Sequence, residues 1–135
     1  MKYHDYKGTE CSQCFYEQFR DEWLVKCQKV VDEHMRNYSW EEKLVINKGR
    51  RYDKIICEDV GNSSNNMNSR RVWAFIDKTN GNILKPSGWS APAKHARGNI
   101  YESPSRDGRK HDDSMQFIGC YGPAYMDKVK EYYGA

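Results

Sequence analysis

The chain has 135 residues and a mass of 15.9 kDa, enough for one hydrophobic core and too little for two. Only 38% of the residues are apolar against 30% charged, but four Trp, ten Tyr and four Phe bury large areas each and exclude wholesale disorder. The net charge of +3 is too small to announce a nucleic-acid partner by itself.

Charge is distributed unevenly. Residues 1–42 hold six Lys and Arg against nine Asp and Glu, a balance of -3, which leaves +6 on residues 43–135. An anionic partner is therefore expected to meet the later two thirds. No run approaches the ~20 consecutive apolar residues of a membrane span, and no apolar stretch follows Lys2 as in an export signal. These features predict a soluble chain with no membrane partner, and an odd set of five cysteines predicts reduced thiols rather than a disulfide framework.

In chain order, Phe15, Phe19, Trp23, Cys27, Val30 and His34 recur at spacings of three, four and seven, with Leu24 and Val31 widening the stripe. The pattern predicts a long amphipathic helix over residues 9–37, capped by Thr9 or Ser12 and stopped at Asn37. Residues 43–85 then read as antiparallel strands. Lys48-Gly49 turns the first hairpin, residues 61–69 form a polar loop, and residues 71–77 carry apolar side chains on both faces, as a central strand does. Asn80-Gly81 fits the two positive φ values of a type I′ hairpin turn. Ser90-Ala91-Pro92 opens a short helix over residues 90–98, which Gly98 would close. Residues 103–113 read as loop, residues 115–118 as a further strand and residues 123–133 as a terminal helix.

One segment is distinctive. Phe75, Asp77, Thr79 and Gly81 lie on a strand and turn; Lys85 and Trp89 follow; then comes Ala91-Pro92-Ala93-Lys94-His95-Ala96-Arg97-Gly98-Asn99. This run resembles small uncharacterised proteins of tailed bacteriophages, particularly those of marine cyanobacteria, which share F-x-D, T-x-G, K-x-x-x-W and A-P-A-K-H-x-R-G-N in that order. The resemblance implies a viral gene, acting in the cytoplasm of an infected host cell, and carries no known activity.

Physically, Lys85, Lys94, His95 and Arg97 cluster around Trp89 with no acidic residue between Leu84 and Ile100. Cations neutralise phosphates, the amides near Ser90 add donors and Trp89 stacks on a base, so these six residues are the expected site for a nucleic acid or nucleotide. The competing reading makes Trp89 a core cap and Lys94 and Arg97 favourable charges at a helix C-terminus.

Other chemistry has thinner support. Cys11-Ser12-Gln13-Cys14 has C-x-x-C spacing at the helix start, without the preceding strand of a redox site or the second ligand pair of a structural zinc. His111-Asp112-Asp113 lies in a charged, glycine-containing stretch that reads as solvated loop. No nucleophile elbow, phosphate loop or zinc-protease motif is present, so no catalytic residue, metal or cofactor is assigned. The expected architecture is one α+β domain over residues 1–135, a long N-terminal helix on a four- or five-stranded antiparallel sheet with a short C-terminal helix. Its expected function is binding of a phosphate-bearing ligand. The alternative is an interaction or assembly module that uses the aromatic helix face to form a homo-oligomer.

Overall fold

A computed structural model describes residues 2–5, 7–38, 41–60, 70–101, 115 and 117–125. Five strands form an antiparallel sheet in sequence order: β3 (Glu41–Asn47), β4 (Tyr52–Val60), β5 (Arg70–Asp77), β6 (Asn82–Leu84) and β7 (Gly98–Asn99). Two small ribbons accompany it, β1 (Tyr3–His4) with β2 (Glu10–Cys11), and β8 (Ile118–Gly119) with β9 (Gly122–Pro123). The helix α1 (Gln13–Met35) is the one helical element among the described residues. About 40% of the described residues are in strands and 23% in the helix.

This corrects the α+β expectation of a long helix on a sheet with a second helix at the end. The molecule is mostly β. Residues 90–98 form no helix because their backbone groups pair with the sheet instead: the Ala93 N–H donates to the Lys85 carbonyl at 2.7 Å and the Arg97 N–H to that of Ile83 at 2.8 Å. Pro86 and Pro92 face each other in an isolated antiparallel bridge, and Gly98–Asn99 becomes the fifth strand. Of the expected terminal helix, Pro123 is a strand residue, Ala124 and Tyr125 are non-helical, and residues 126–133 lie outside the described residues. So do the whole of the expected loop at residues 103–113, His111 included, and the polar stretch 61–69.

The buried stripe of α1 is rotated from the one the apolar pattern predicts. Tyr16, Arg20, Trp23, Cys27, Val31 and Met35 are buried, whereas Phe15 stays 40% exposed. Apolar counting missed Tyr16 and Arg20 because both are drawn inward by a carboxylate: the Tyr16 hydroxyl donates to Asp53 Oδ2 at 2.8 Å and Arg20 NH1 at 3.1 Å. Asp53 is wholly buried on β4, and Lys78 Nζ stands 3.3 Å from its other oxygen. Burial and the facing carboxylate push the Tyr16 phenol far above its ordinary pKa, which keeps it a neutral donor. The Ser12 hydroxyl caps the helix by accepting from the Phe15 N–H at 3.1 Å.

The core joins Trp23, Cys27 and Val31 to Ile55, Cys57, Trp73 and Ile76, with the Trp23 and Trp73 rings 6.2 Å apart. Between Ile55 and Ile56 the β4–β5 register shifts so that Trp73 is passed over, a bulge on the central strand. Trp73 Nε1 donates to the Cys120 carbonyl at 3.1 Å, and Gly122, at φ +105°, lies so close to the Trp73 carbonyl that no side chain would fit. At the other end of β5, four residues connect Asp77 to Asn82. The Asp77 carbonyl accepts from Gly81 N–H at 2.7 Å and only Gly81 of the pair has positive φ, so the turn is a longer one closed by a left-handed glycine, not type I′.

Candidate functional site

Period-two alternation along β4 sends Tyr52 and Lys54 to the face opposite Asp53. Asp53 turns toward α1. On the other face Lys54 pairs across the strands with Phe75, its ammonium 5.8 Å from the ring centroid. The Tyr52 ring meets Phe75 edge-on at 6.1 Å. A groove of about 260 Å³ opens over this face. Its walls include Lys48, Arg50, Arg51, Lys54, Tyr52 and Ser90, and among the described residues no carboxylate lines it.

The loop carrying three of these cations is tied down. Lys78 Nζ donates to the Gly49 carbonyl at 2.6 Å while facing Asp53, and the Lys78 N–H donates to the Arg51 carbonyl at 2.9 Å. Arg51 bonds Asp77 at 3.3 Å, which holds its guanidinium firmly charged. Lys48, Arg50 and Lys54 have no carboxylate within ion-pair distance among the described residues, so their charge is available to a ligand.

The opposite rim is the loop between Lys85 and Ala93. Ser87 and Gly88 donate their N–H groups to the Ala91 carbonyl at 3.0 and 3.3 Å, and the Ser87 hydroxyl donates to the same oxygen at 3.0 Å. This tight closure presents Trp89 at the tip, 51% exposed, with Lys54 Nζ 4.7 Å from its ring centroid.

The six expected ligand residues therefore divide. Ser90 lines the groove, and Trp89 stands beside it over Lys54. Arg97 does not: it is 5% exposed and its guanidinium donates to the carbonyls of Lys94, His95 and Ala124. Lys85 donates to the Pro123 carbonyl at 3.1 Å and lies 4.2 Å over the Tyr125 ring. Burial lowers the pKa of both cations, and for Lys85 the nearby Arg97 adds to it. These two staple the chain around Pro123 and Ala124. The arrangement also supports His95 in the left-handed region at φ 72°, an uncommon conformation for a residue with a side chain. Lys94 and His95 are exposed, and no helix N-terminus exists at Ser90 to supply donors.

The groove cations lie outside the segment singled out by sequence. Their signal was present in Lys48-Gly49-Arg50-Arg51, three cations about a glycine at a hairpin turn, followed by Lys54 two residues beyond Tyr52 on the same strand face.

Cysteine chemistry is not assembled. Cys11 and Cys14 are free thiols, Cys11 on β2 with its sulfur 3.6 Å from the Tyr101 hydroxyl and Cys14 exposed on α1. Cys57 donates to Glu42 Oε2 at 3.0 Å, and burial together with that carboxylate pushes its thiol up to about 12. No cluster of three or more His, Cys, Asp or Glu side chains suited to a metal occurs among the described residues. Among them, too, no helix is long and apolar enough to cross a membrane.

No curated protein and no solved structure matches the chain. A family model described as "Family of unknown function (DUF7717)" matches residues 4–121, most of the length. The protein with this cation-lined groove belongs to the DUF7717 family.

Proposed function

We propose that this is a phage-type accessory protein that binds phosphate-bearing polyanions through the groove between the β3–β4 loop and the Trp89 loop. One observation carries the reading: four cations line a single concave surface, and among the described residues no carboxylate lies in its walls and three of the four cations have no acidic partner. Unpaired cations on a shared surface raise local anion concentration and gain free energy by releasing counterions from a polyanion. The positive balance of the later two thirds of the chain supports the same reading.

The assembly alternative has less support. Of the aromatic helix face, Trp23 is spent on the chain's own core, and Phe15 stacks on Tyr101 with centroids 5.8 Å apart.

The test compares two triple variants of equal charge change: Lys48→Gln/Arg50→Gln/Lys54→Gln in the groove and Lys29→Gln/Arg36→Gln/Lys43→Gln away from it. The groove variant is expected to lose on the order of ten-fold or more in affinity for heparin and for DNA at moderate salt, with the control nearly unchanged. Equal losses from both variants would mean that net charge, and not this groove, holds the polyanion.

A further inference from the structure

The Trp89 loop adds a feature that charge neutralisation alone does not require. Phosphate neutralisation needs only cations, yet the closed turn between Lys85 and Ala93 holds a large aromatic ring half in solvent at the rim of the groove. Burying Trp89 would stabilise the fold; its exposure leaves apolar area for a partner. Lys54 approaches the ring at 4.7 Å, and no second ring or cation contacts it among the described residues.

Resting on the anion-binding reading above, we infer that the ligand is single-stranded nucleic acid, with one base stacked on Trp89 and the adjoining phosphates on Lys48, Arg50 and Lys54. Three observations favour a strand over the other phosphate-bearing classes. The groove volume of about 260 Å³ is of the order of one nucleotide unit. A paired base buries its faces in the stack, so a half-exposed indole gains a stacking partner only from an unpaired one. A free mononucleotide needs an enclosing site with a convergent phosphate grip, whereas Lys48 and Arg50 are exposed side chains that hold weakly one by one and add up along a chain. Tyr52, half-buried beside Arg51 at 5.2 Å, gives the strand a second aromatic surface further along the groove.

The experiment measures binding of the full chain to an oligothymidylate, a hairpin duplex of matched phosphate count, thymidine monophosphate and heparin. It uses wild type, Trp89→Ala, Trp89→Phe and the groove triple variant. The inference expects the single strand to bind tightest and the mononucleotide to bind barely at all. Trp89→Ala should weaken the single strand roughly ten-fold, within the range of one lost stacking contact, and change duplex and heparin less than about two-fold. Trp89→Phe should keep most of the affinity but lose the indole fluorescence quenching that accompanies strand binding. Duplex binding as tight as single-strand binding, or an equal effect of Trp89→Ala on all polyanions, would overturn the single-strand inference and leave the anion groove standing. If the groove triple variant binds every polyanion as wild type does, both readings fall.

Discussion

The ammonium of Lys54 lies 4.7 Å from the Trp89 ring centroid, joining the middle of a strand to the tip of a loop 35 positions later in the chain. The contact gives the groove its second wall. It also explains how an exposed indole keeps a defined position: a cation on β4 holds one face by its attraction to the ring quadrupole, worth about 0.5–1 kcal/mol at an exposed site.

Arg97 separates the structural reading of the 85–99 segment from a binding one. Its guanidinium satisfies three carbonyls on two chain segments, so Arg97→Ala should leave buried acceptors unpaired and destabilise the fold by about 2–4 kcal/mol. Arg97→Lys should recover little, because an ammonium cannot span the same fork. Urea unfolding checks both, and a neutral Arg97→Ala would return that residue to the list of ligand contacts.

Asp53 is the most sensitive charged position. It sits at 0% exposure with Tyr16 and Arg20 on one oxygen and Lys78 near the other. Asp53→Asn should cost about 3–5 kcal/mol, since it leaves the 5% exposed Arg20 with an uncompensated buried charge on that side. Thermal or urea denaturation measures it. Tyr16→Phe should cost less, about 1–2 kcal/mol, as one hydrogen bond is lost and no charge is orphaned.

Glu42 gives the fold a pH dependence. Burial alone would raise its pKa, but hydrogen bonds from Arg71 at 2.9 Å and Cys57 at 3.0 Å outweigh it, and the net shift is downward from the ordinary 4.5. A carboxylate with a lowered folded-state pKa binds fewer protons when folded, so its stabilisation is full above the unfolded value of 4.5 and disappears as pH falls through the folded value. Glu42→Gln should therefore flatten the stability profile below about pH 5 while lowering stability at neutral pH. Urea midpoints across that range test it, and an unchanged acid limb would show that other carboxylates set it.

The free edge of β3 is covered by one side chain. Gln28 on α1 accepts from the Leu44 N–H at 2.8 Å and donates to the Glu42 carbonyl at 2.9 Å, imitating a neighbouring strand. Gln28→Ala should cost about 1–2 kcal/mol and raise concentration-dependent aggregation, whereas Gln28→Glu should lose the donor half of the pair. Light scattering during a stability titration reads both effects.

Some of this was legible in the residues and some was not, for identifiable reasons. Strand β5 shows in its apolar positions on both faces, and the sheet indeed places it in the middle. Gly81 marks the turn, although Asn80 does not take the second positive φ. The segment from Ser90 to Gly98 has good local grammar for a helix, but Pro92 opposite Pro86 and the backbone bond from Arg97 to Ile83 supply more pairing than two isolated helical turns would. The acid-free stretch singled out Trp89, and the structure leaves its ring 51% exposed where the competing reading made it a core cap. The groove cations were hidden by Asp53: in Arg51-Tyr52-Asp53-Lys54 the acid nominally balances the run, yet alternation buries its carboxylate on the far face and leaves Lys54 uncompensated.

The measurement that most directly tests the groove as the binding surface is the salt dependence of oligothymidylate affinity for wild type and for Lys48→Gln/Arg50→Gln/Lys54→Gln. Each lost phosphate contact on a single strand removes about 0.7 from the slope of log K against log salt. The account predicts a slope shallower by roughly 2 in the triple variant, with weaker binding at low salt and convergence with wild type at high salt. Parallel lines of equal slope would contradict it, because they would mean that these three cations touch no phosphate.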